Sequence, residues 1–149
     1  MEYQENIENN IFYLPLINFK MPAGFPSPAM DYLEERINLI QVIAPHPFST
    51  FLFYSEGKSM LDACIPPGSL LVVDKSLTAI SGDIIIAHLD GKFTVKYINF
   101  QDKKCFLVPA NKSANFPTIE VTEEMEMMVW GVVTNVIINT KNIRLCTLW

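Results

Sequence analysis

A serine and a lysine are the residues of this chain whose chemistry could form a catalytic pair. Ser59 stands between Lys58 and Met60 in "YSEGKSMLDAC", where it follows a predicted β-strand. No histidine lies at the spacing of a familiar catalytic triad, so a nucleophilic serine needs another base. The alternative is that Ser59 is an ordinary turn residue.

Lys96, in the predicted strand "KFTVKYI", is the candidate base. Strand alternation places it on one face with Thr94 and Ile98. A lysine in a strand usually lies on a solvated face, and this interpretation stays open. To act as a base Lys96 must be neutral, and lowering its pKa from about 10.4 to roughly 7–8 costs on the order of 4 kcal/mol. Burial among apolar groups without a carboxylate partner produces such a shift.

The other polar candidates favour structural roles. His46 lies in a loop between two prolines and His88 in an apolar strand, so neither is expected to be catalytic. Ser81 and Asp83 flank a glycine and are predicted to cap the local backbone. An acidic run without metal-ligand spacing is predicted to be a solvated turn. It consists of Glu120, Glu123, Glu124 and Glu126.

Cysteine spacing, charge and hydropathy exclude several classes of function. The three cysteines are isolated, which disfavours a disulfide framework or a zinc site, and we predict no metal and no cofactor. The formal net charge of the 149 residues is -5, so direct sequence-specific DNA binding is not expected. The apolar stretches are too short for a membrane span, and the N-terminus lacks the positive region of a secretory signal. These features predict a cytoplasmic protein.

The composition separates an N-terminal arm from a body. Residues 1–30 contain "MPAGFPSP", whose prolines exclude a long helix or a central strand, so we predict an extended arm. The arm also carries an apolar patch, "IFYLPLINF", which must dock on another surface. Ser27 and Pro28 offer a cap and a first-turn proline for a short helix over residues 29–40. Residues 31–149 form the predicted body.

Strands and turns dominate from Thr50 onward. The segments "TFLFYS", "SLLVVD", "DIIIAHL", "KFTVKYI", "KCFLVP" and "MMVWGVVTNVII" have the character of strands. "PPG" suits a type II turn, and Asp90-Gly91 is a strong hairpin signal. The segments "SLLVVD" and "DIIIAHL" are almost continuously apolar, so both faces of these strands are expected to be covered. The body is therefore predicted to be mostly β, with roughly seven strands.

Three motifs in the same order resemble the UmuD family of SOS mutagenesis proteins, relatives of the self-cleaving domain of the LexA repressor. They are "AGFPSPAMDYLEERINL", "EGKSMLDACIPPGSLLVVD" and "GDIIIAHLDGKFTVK". The resemblance runs from about Ile11 to Ile138. It implies a LexA- or signal-peptidase-like complex of β-strands with a short N-terminal helix and an extended arm. It also implies that Ser59 is the nucleophile and Lys96 the general base.

The family's biology would follow from the same resemblance. UmuD-like proteins are homodimers that cleave their own arm when a RecA filament forms on single-stranded DNA. The shortened form then joins the UmuC polymerase subunit in error-prone synthesis past lesions. The matching scissile bond here joins Ala23 to Gly24. Lys58 departs from the acidic residue that the family often has before the nucleophile, and we expect its side chain to point to solvent.

Two other interpretations compete with the self-cleaving subunit. A binding module could keep the fold, let the arm regulate docking to a polymerase or repressor, and do no chemistry at Ser59. A signal peptidase would use the same dyad, but it needs a membrane anchor that the sequence does not indicate. Incubation at high pH distinguishes the self-cleaving subunit from the binding module, because an active dyad should cut the chain once Lys96 loses its proton.

Overall fold

The computed structural model of the chain describes residues 13–17, 23–24 and 34–141. The chain divides into two compact units, Met1–Pro45 and His46–Trp149. Each unit has its own β-sheet, of two strands in the first and seven in the second. Within the described residues no helix combines the length and the apolar character needed to cross a membrane.

A small antiparallel sheet makes up most of what is described of the first unit. β1 (Tyr13–Ile17) pairs with β2 (Glu34–Asn38), and every residue of β1 is exposed. A proline is tolerated in β1 because both strands of a two-stranded sheet are edge strands. This segment is extended, as the arm's sequence predicts. The arm's predicted end at residue 30 remains a prediction, because residues 25–33, with the expected Ser27 cap, lie outside the described part.

The prediction of a helix over residues 29–40 is wrong for residues 34–38, which form β2. The run of glutamate and arginine favours a helix locally, but backbone pairing with β1 overrides that weak preference. The observed helix, α1 (Leu39–Ile43), begins later. The side chain of Asn38 accepts a hydrogen bond from the N–H of Ile40 at 3.0 Å and so caps this short helix.

Seven antiparallel strands form the sheet of the second unit, in the spatial order β3-β4-β9-β5-β6-β7-β8. The last strand, β9, lies between β4 and β5, so the chain returns to the middle of the sheet after reaching one edge. The strands are β3 (Thr50–Tyr54), β4 (Leu70–Asp74), β5 (Ile84–Leu89), β6 (Lys92–Gln101), β7 (Lys104–Val108), β8 (Ile119–Val121) and β9 (Met127–Ile137). Two 3-10 turns span Pro47–Ser49 and Leu61–Ala63.

The predicted fold class is confirmed: the described residues are mostly β and include one short α-helix. All six strands predicted by their sequences are present, whereas the three-residue β8 was too short to give a sequence signal. The hairpin between β5 and β6 turns at Asp90 and Gly91, whose φ angles of 47° and 80° suit a type I′ turn. Gly68, with φ of 83°, occupies the turn predicted for "PPG".

Apolar side chains cover both faces of the central strands. On β5, Ile86 packs into a cluster that includes Leu71 and Val73, whereas Ile85 and Ala87 pack into a second cluster. The near-continuous apolar sequences of β4 and β5 are explained by this two-sided burial. The same alternation on β6 directs the side chains of neighbouring residues to opposite clusters, which determines where Lys96 can reach.

Candidate active site

The structure brings the predicted nucleophile and the predicted base into contact. The Nζ atom of Lys96 lies 2.9 Å from the Oγ atom of Ser59. Nζ also donates to Oγ1 of Thr94 at 3.0 Å and to the carbonyl oxygen of Val95 at 2.9 Å. The side of β6 that carries Lys96 is not solvated, because only 9% of the residue is exposed. The two residues form a partly buried hydrogen-bonded pair although 37 positions separate them.

The loop after β3 positions Ser59. Ser55, at the start of this loop, accepts a hydrogen bond from the N–H of Gly68 and donates its own N–H to the carbonyl of Ser69, both at 2.8 Å. Gly57 turns the chain with φ of 77°, a conformation that glycine adopts without strain. Ser59 therefore lies in the loop that follows the anchored end of β3, after a sharp turn at Gly57.

The segment after β7 holds the same loop from its other side. The N–H of Ala110 donates to the carbonyl oxygen of Ser59 at 2.7 Å. The side chain of Asn111 donates to the carbonyl oxygen of Lys58 at 2.6 Å, and Asn111 is itself buried. Sequence reasoning missed Asn111 because one asparagine after a proline resembles any loop residue. The Lys58 side chain is exposed, as expected from the sequence.

β6 carries both Lys96 and Thr94, whose hydroxyl accepts a hydrogen bond from Lys96 Nζ. Thr94 lies two residues before Lys96, so strand alternation puts both side chains on one face. The backbone of β6 is paired with β5 in this region, with Lys96 opposite Ile85, and its pairing with β7 begins at Tyr97. Sequence analysis placed Thr94 on this face but assigned it no role, although the i, i+2 spacing was the available signal.

Burial lowers the pKa of Lys96 below its ordinary value of 10.5, because desolvation penalises the ammonium form. No carboxylate forms an ion pair with Lys96 in the described structure, where the ion pairs join His46 to Asp74 and Lys104 to Glu120. A neutral amine has two N–H donors and one lone pair. Thr94 and the Val95 carbonyl accept the two donors, which leaves the lone pair for the hydroxyl proton of Ser59.

Two cavities adjoin the pair. One, of about 250 Å³, is lined by Ser59 and by apolar side chains that include Phe53 and Leu71. The other, of about 340 Å³, is lined by Lys96 and by a mainly apolar wall. Phe93 and Thr94 line both cavities. A peptide crossing the pair would therefore have a cavity of mixed polar and apolar lining on the serine side and a mainly apolar cavity on the lysine side.

The predicted scissile residues are solvent-accessible in the first unit. Ala23 and Gly24 form an exposed bend, and a side chain added at Gly24 would meet no atom within 4 Å. An exposed bend of small residues is sterically open to attack. Their role as substrate stays a prediction.

The histidines and the local caps take structural positions. Nδ1 of His46 lies 2.6 Å from a carboxylate oxygen of the buried Asp74, and the ring of His88 packs edge-on against Phe93. Asp83 accepts a hydrogen bond from the N–H of Ile80 in its own turn, as predicted for a local cap. Ser81 accepts instead from the N–H of Phe100, a distant residue on β6. Neither histidine contacts the Ser59–Lys96 pair.

The remaining candidates show no additional reactive centre in the described part of the chain. Glu120 is paired with Lys104 at 2.7 Å on the exposed edge of the sheet. Cys64 and Cys105 are free thiols, while Cys146 lies outside the described residues. Residues 34–141, together with the two short described segments before them, contain no group of three or more His, Cys, Asp or Glu side chains arranged to hold a metal ion.

Comparison with known proteins identifies relatives over most of the chain. The sequence profile named Peptidase S24-like matches residues 15–134. The chain is 36% identical over 137 residues to Protein MucA of Salmonella typhimurium, which covers 91% of this chain and 92% of that protein. It is 39% identical over 128 residues to Protein SamA of Salmonella typhimurium, covering 86% and 87% respectively.

A third relative is a repressor. The LexA repressor of Alcanivorax borkumensis is 36% identical over 101 residues, which make up 67% of this chain and 48% of the repressor. Together the three relatives and the profile confirm the predicted resemblance to the UmuD family and to LexA.

Proposed function

The chain belongs to the Peptidase S24-like family, and on this premise we propose that it cuts its own N-terminal segment between Ala23 and Gly24. Ser59 is the nucleophile and Lys96 the general base. The observation that carries the proposal is the 2.9 Å contact between Lys96 Nζ and Ser59 Oγ, at a lysine that is 9% exposed and has no carboxylate partner in the described structure.

The reaction proceeds by acyl transfer. Neutral Lys96 takes the hydroxyl proton as Ser59 Oγ attacks the carbonyl carbon of Ala23. Backbone N–H groups at Ser59 and a neighbour stabilise the oxyanion. The C–N bond then breaks, Lys96 returns the proton to the departing nitrogen of Gly24, and Ala23 remains as an ester on Ser59. Water hydrolyses the ester with Lys96 again as the base, releasing residues 1–23 and leaving residues 24–149 as the product.

The biological setting we propose is the SOS response to DNA damage. A RecA filament on single-stranded DNA stimulates the cut, and the product acts as a homodimer with a UmuC-like polymerase subunit in translesion synthesis. The family membership supports this role. The net charge of -5 also suits protein partners better than a DNA backbone, and we place the protein in the cytoplasm.

The direct test is incubation of the purified full-length chain at alkaline pH without any partner. Mass spectrometry should detect a fragment of residues 24–149 in the wild type and none in a Ser59→Ala variant. A wild-type chain that stays intact at every pH, with or without an activated RecA filament, would leave the non-catalytic binding module as the better description.

A further inference from the structure

The larger cavity lies on the lysine side of the catalytic pair. Its volume is about 340 Å³, at the small end of the roughly 300–1,000 Å³ that ligand pockets occupy. Besides Lys96, its wall includes the apolar residues Leu89, Phe93, Phe116, Pro117 and Ile119. Phe93 is 58% exposed and Phe116 is 39% exposed, so large apolar surfaces stand open beside the reacting atoms.

The proposed chemistry determines which part of a substrate this cavity faces. A general base takes the proton of the nucleophile and then gives it to the leaving amine, so it stands on the side of the leaving group. Here the leaving amine belongs to Gly24. The cavity lined by Lys96 therefore faces the residues after the bond, and the cavity lined by Ser59 faces the residues before it.

The arm carries one large apolar side chain on each side of the bond. In "KMPAGFP", Met21 precedes the bond and Phe25 follows it. Each of the two is followed directly by a proline, and a residue before proline favours an extended conformation over a helical one. Gly24 has no side chain, so the chain can cross the pair closely while Phe25, one residue further, projects beyond it.

We propose that the cavity formed by Leu89, Phe93, Phe116 and Ile119 is a binding site for the phenyl ring of Phe25. This inference rests on the proposed function and adds the contact that aligns the bond on its leaving side. The ring meets an apolar wall with two aromatic members, where edge and face packing adds to burial. Phe25 stays on the body after the cut, so the same contact also retains the new N-terminus beside Lys96.

The test compares rates of self-cleavage in full-length chains at one alkaline pH. Phe25→Ala and Phe116→Ala should each slow the cut by roughly tenfold to a hundredfold, the range expected for removing apolar groups from a substrate pocket. Because the two side chains touch in the proposed complex, the double variant should be hardly slower than either single one. Phe100→Ala is the matched control, since Phe100 is 50% exposed on β6, the strand that carries Phe93 and Lys96, and lies outside both cavities.

Orientation is tested with a residue on the other side of the bond. Met21→Ala should combine multiplicatively with Phe116→Ala, because Met21 faces the other cavity. Coupling of Phe116 with Met21 in place of Phe25 would reverse the orientation and overturn the proposal. The proposal would also be overturned if Phe116→Ala slowed the cut by the same factor whether or not Phe25 is replaced by alanine. The cavity would then bind a group other than Phe25.

Failure of this inference is distinct from failure of the proposed function. If the wild type does not cut at Ala23, the catalytic proposal fails. If the wild type cuts but Phe25→Ala and Phe116→Ala cut at its rate, only the binding site is refuted. The Phe25 substitution lies in the arm, outside the seven-stranded sheet, so it keeps the test valid if a change at Phe116 disturbs the body.

Discussion

The pH dependence of self-cleavage tests the role of Lys96 most directly. With the ordinary pKa of 10.5, about one lysine in a thousand is neutral at pH 7.5. Burial lowers the pKa of Lys96, and each unit of lowering raises the neutral fraction about tenfold as long as the pKa stays above the working pH. The rate without RecA should rise about tenfold per pH unit and level off above the pKa of Lys96.

Two exposed charges stand near the pair and modulate this profile. Lys92 lines the cavity on the lysine side and Glu56 lines the cavity on the serine side. Beyond the effect of burial, we expect the Lys92 charge to disfavour protonation of Lys96 and the Glu56 charge to favour it. Since both are exposed, salt screens their effects. Glu56→Gln should therefore move the rise to slightly lower pH at low ionic strength, and hardly at all at high ionic strength.

The assay measures the appearance of residues 24–149 by mass spectrometry from pH 6 to pH 11, with and without an activated RecA filament. We expect the filament to shift the rise to lower pH, because it favours the state in which the arm covers and further desolvates Lys96. Lys96→Arg is the control, since a guanidinium keeps its proton throughout this range. A flat profile, a rate that falls as the pH rises, or activity in Lys96→Arg would refute the assignment of Lys96 as the base.

Three further outcomes are expected. Lys96→Ala should abolish cleavage as completely as Ser59→Ala does, while the circular dichroism spectrum stays native. A Lys96→Ala variant that still cuts at the wild-type rate would disprove the pairing. A bulky residue at Gly24 should block the cut by keeping the chain away from Ser59, which gel electrophoresis checks against the same change at the exposed Glu123. Thr94→Val removes an acceptor of Nζ at 3.0 Å, so we expect a loss of about tenfold to a hundredfold in rate and partial rescue by Thr94→Ser, whose hydroxyl restores the acceptor. Equal rates for valine and serine would show that Thr94 only fills space.

A fourth outcome concerns the stability of the body. Burial by itself raises the pKa of Asp74, but hydrogen bonds from Ser76, His46 and Ser49 outweigh it and hold the pKa well below the ordinary 3.8. This carboxylate thus contributes stability above pH 3.8 that is lost as the pH falls through its folded-state pKa. Asp74→Asn should lower the free energy of unfolding by about 2 kcal/mol at pH 7, with the difference shrinking in acid. Urea unfolding at pH 7 and pH 3 measures both, and an equal difference at the two pH values would contradict this account.

Local pattern and composition were sufficient for much of the body. Alternation along β6 placed Thr94 and Lys96 on one face, and the apolar sequences of β4 and β5 indicated two-sided burial. The Asp90-Gly91 turn predicted the hairpin between β5 and β6. Each of these features depends on a few neighbouring residues. The conformational preferences of those residues can therefore be read from the sequence alone.

The N-terminal region shows where local preference was overruled. Residues 34–38 have helix-favouring side chains, yet they form β2 because β1 satisfies their backbone hydrogen bonds. Helix preferences amount to tenths of a kcal/mol per residue, and pairing with a distant strand exceeds them. No window of the sequence around this segment contains its partner.

The features of the candidate site likewise fall into those that the sequence predicts and those that depend on the tertiary structure. The sequence by itself determined that Ser59 follows a strand and a glycine turn, that Lys96 shares a face with Thr94, and, through resemblance, that the two belong together. Only the tertiary structure decided that Lys96 is buried, that Asn111 holds the nucleophile loop and that no carboxylate among the described residues forms an ion pair with the amine. The physical reason is that burial depends on packing between strands, and that the decisive contacts join residues far apart in sequence: Lys96 to Ser59 across 37 positions and Asn111 to Lys58 across 53. These groups meet only when the sheet forms.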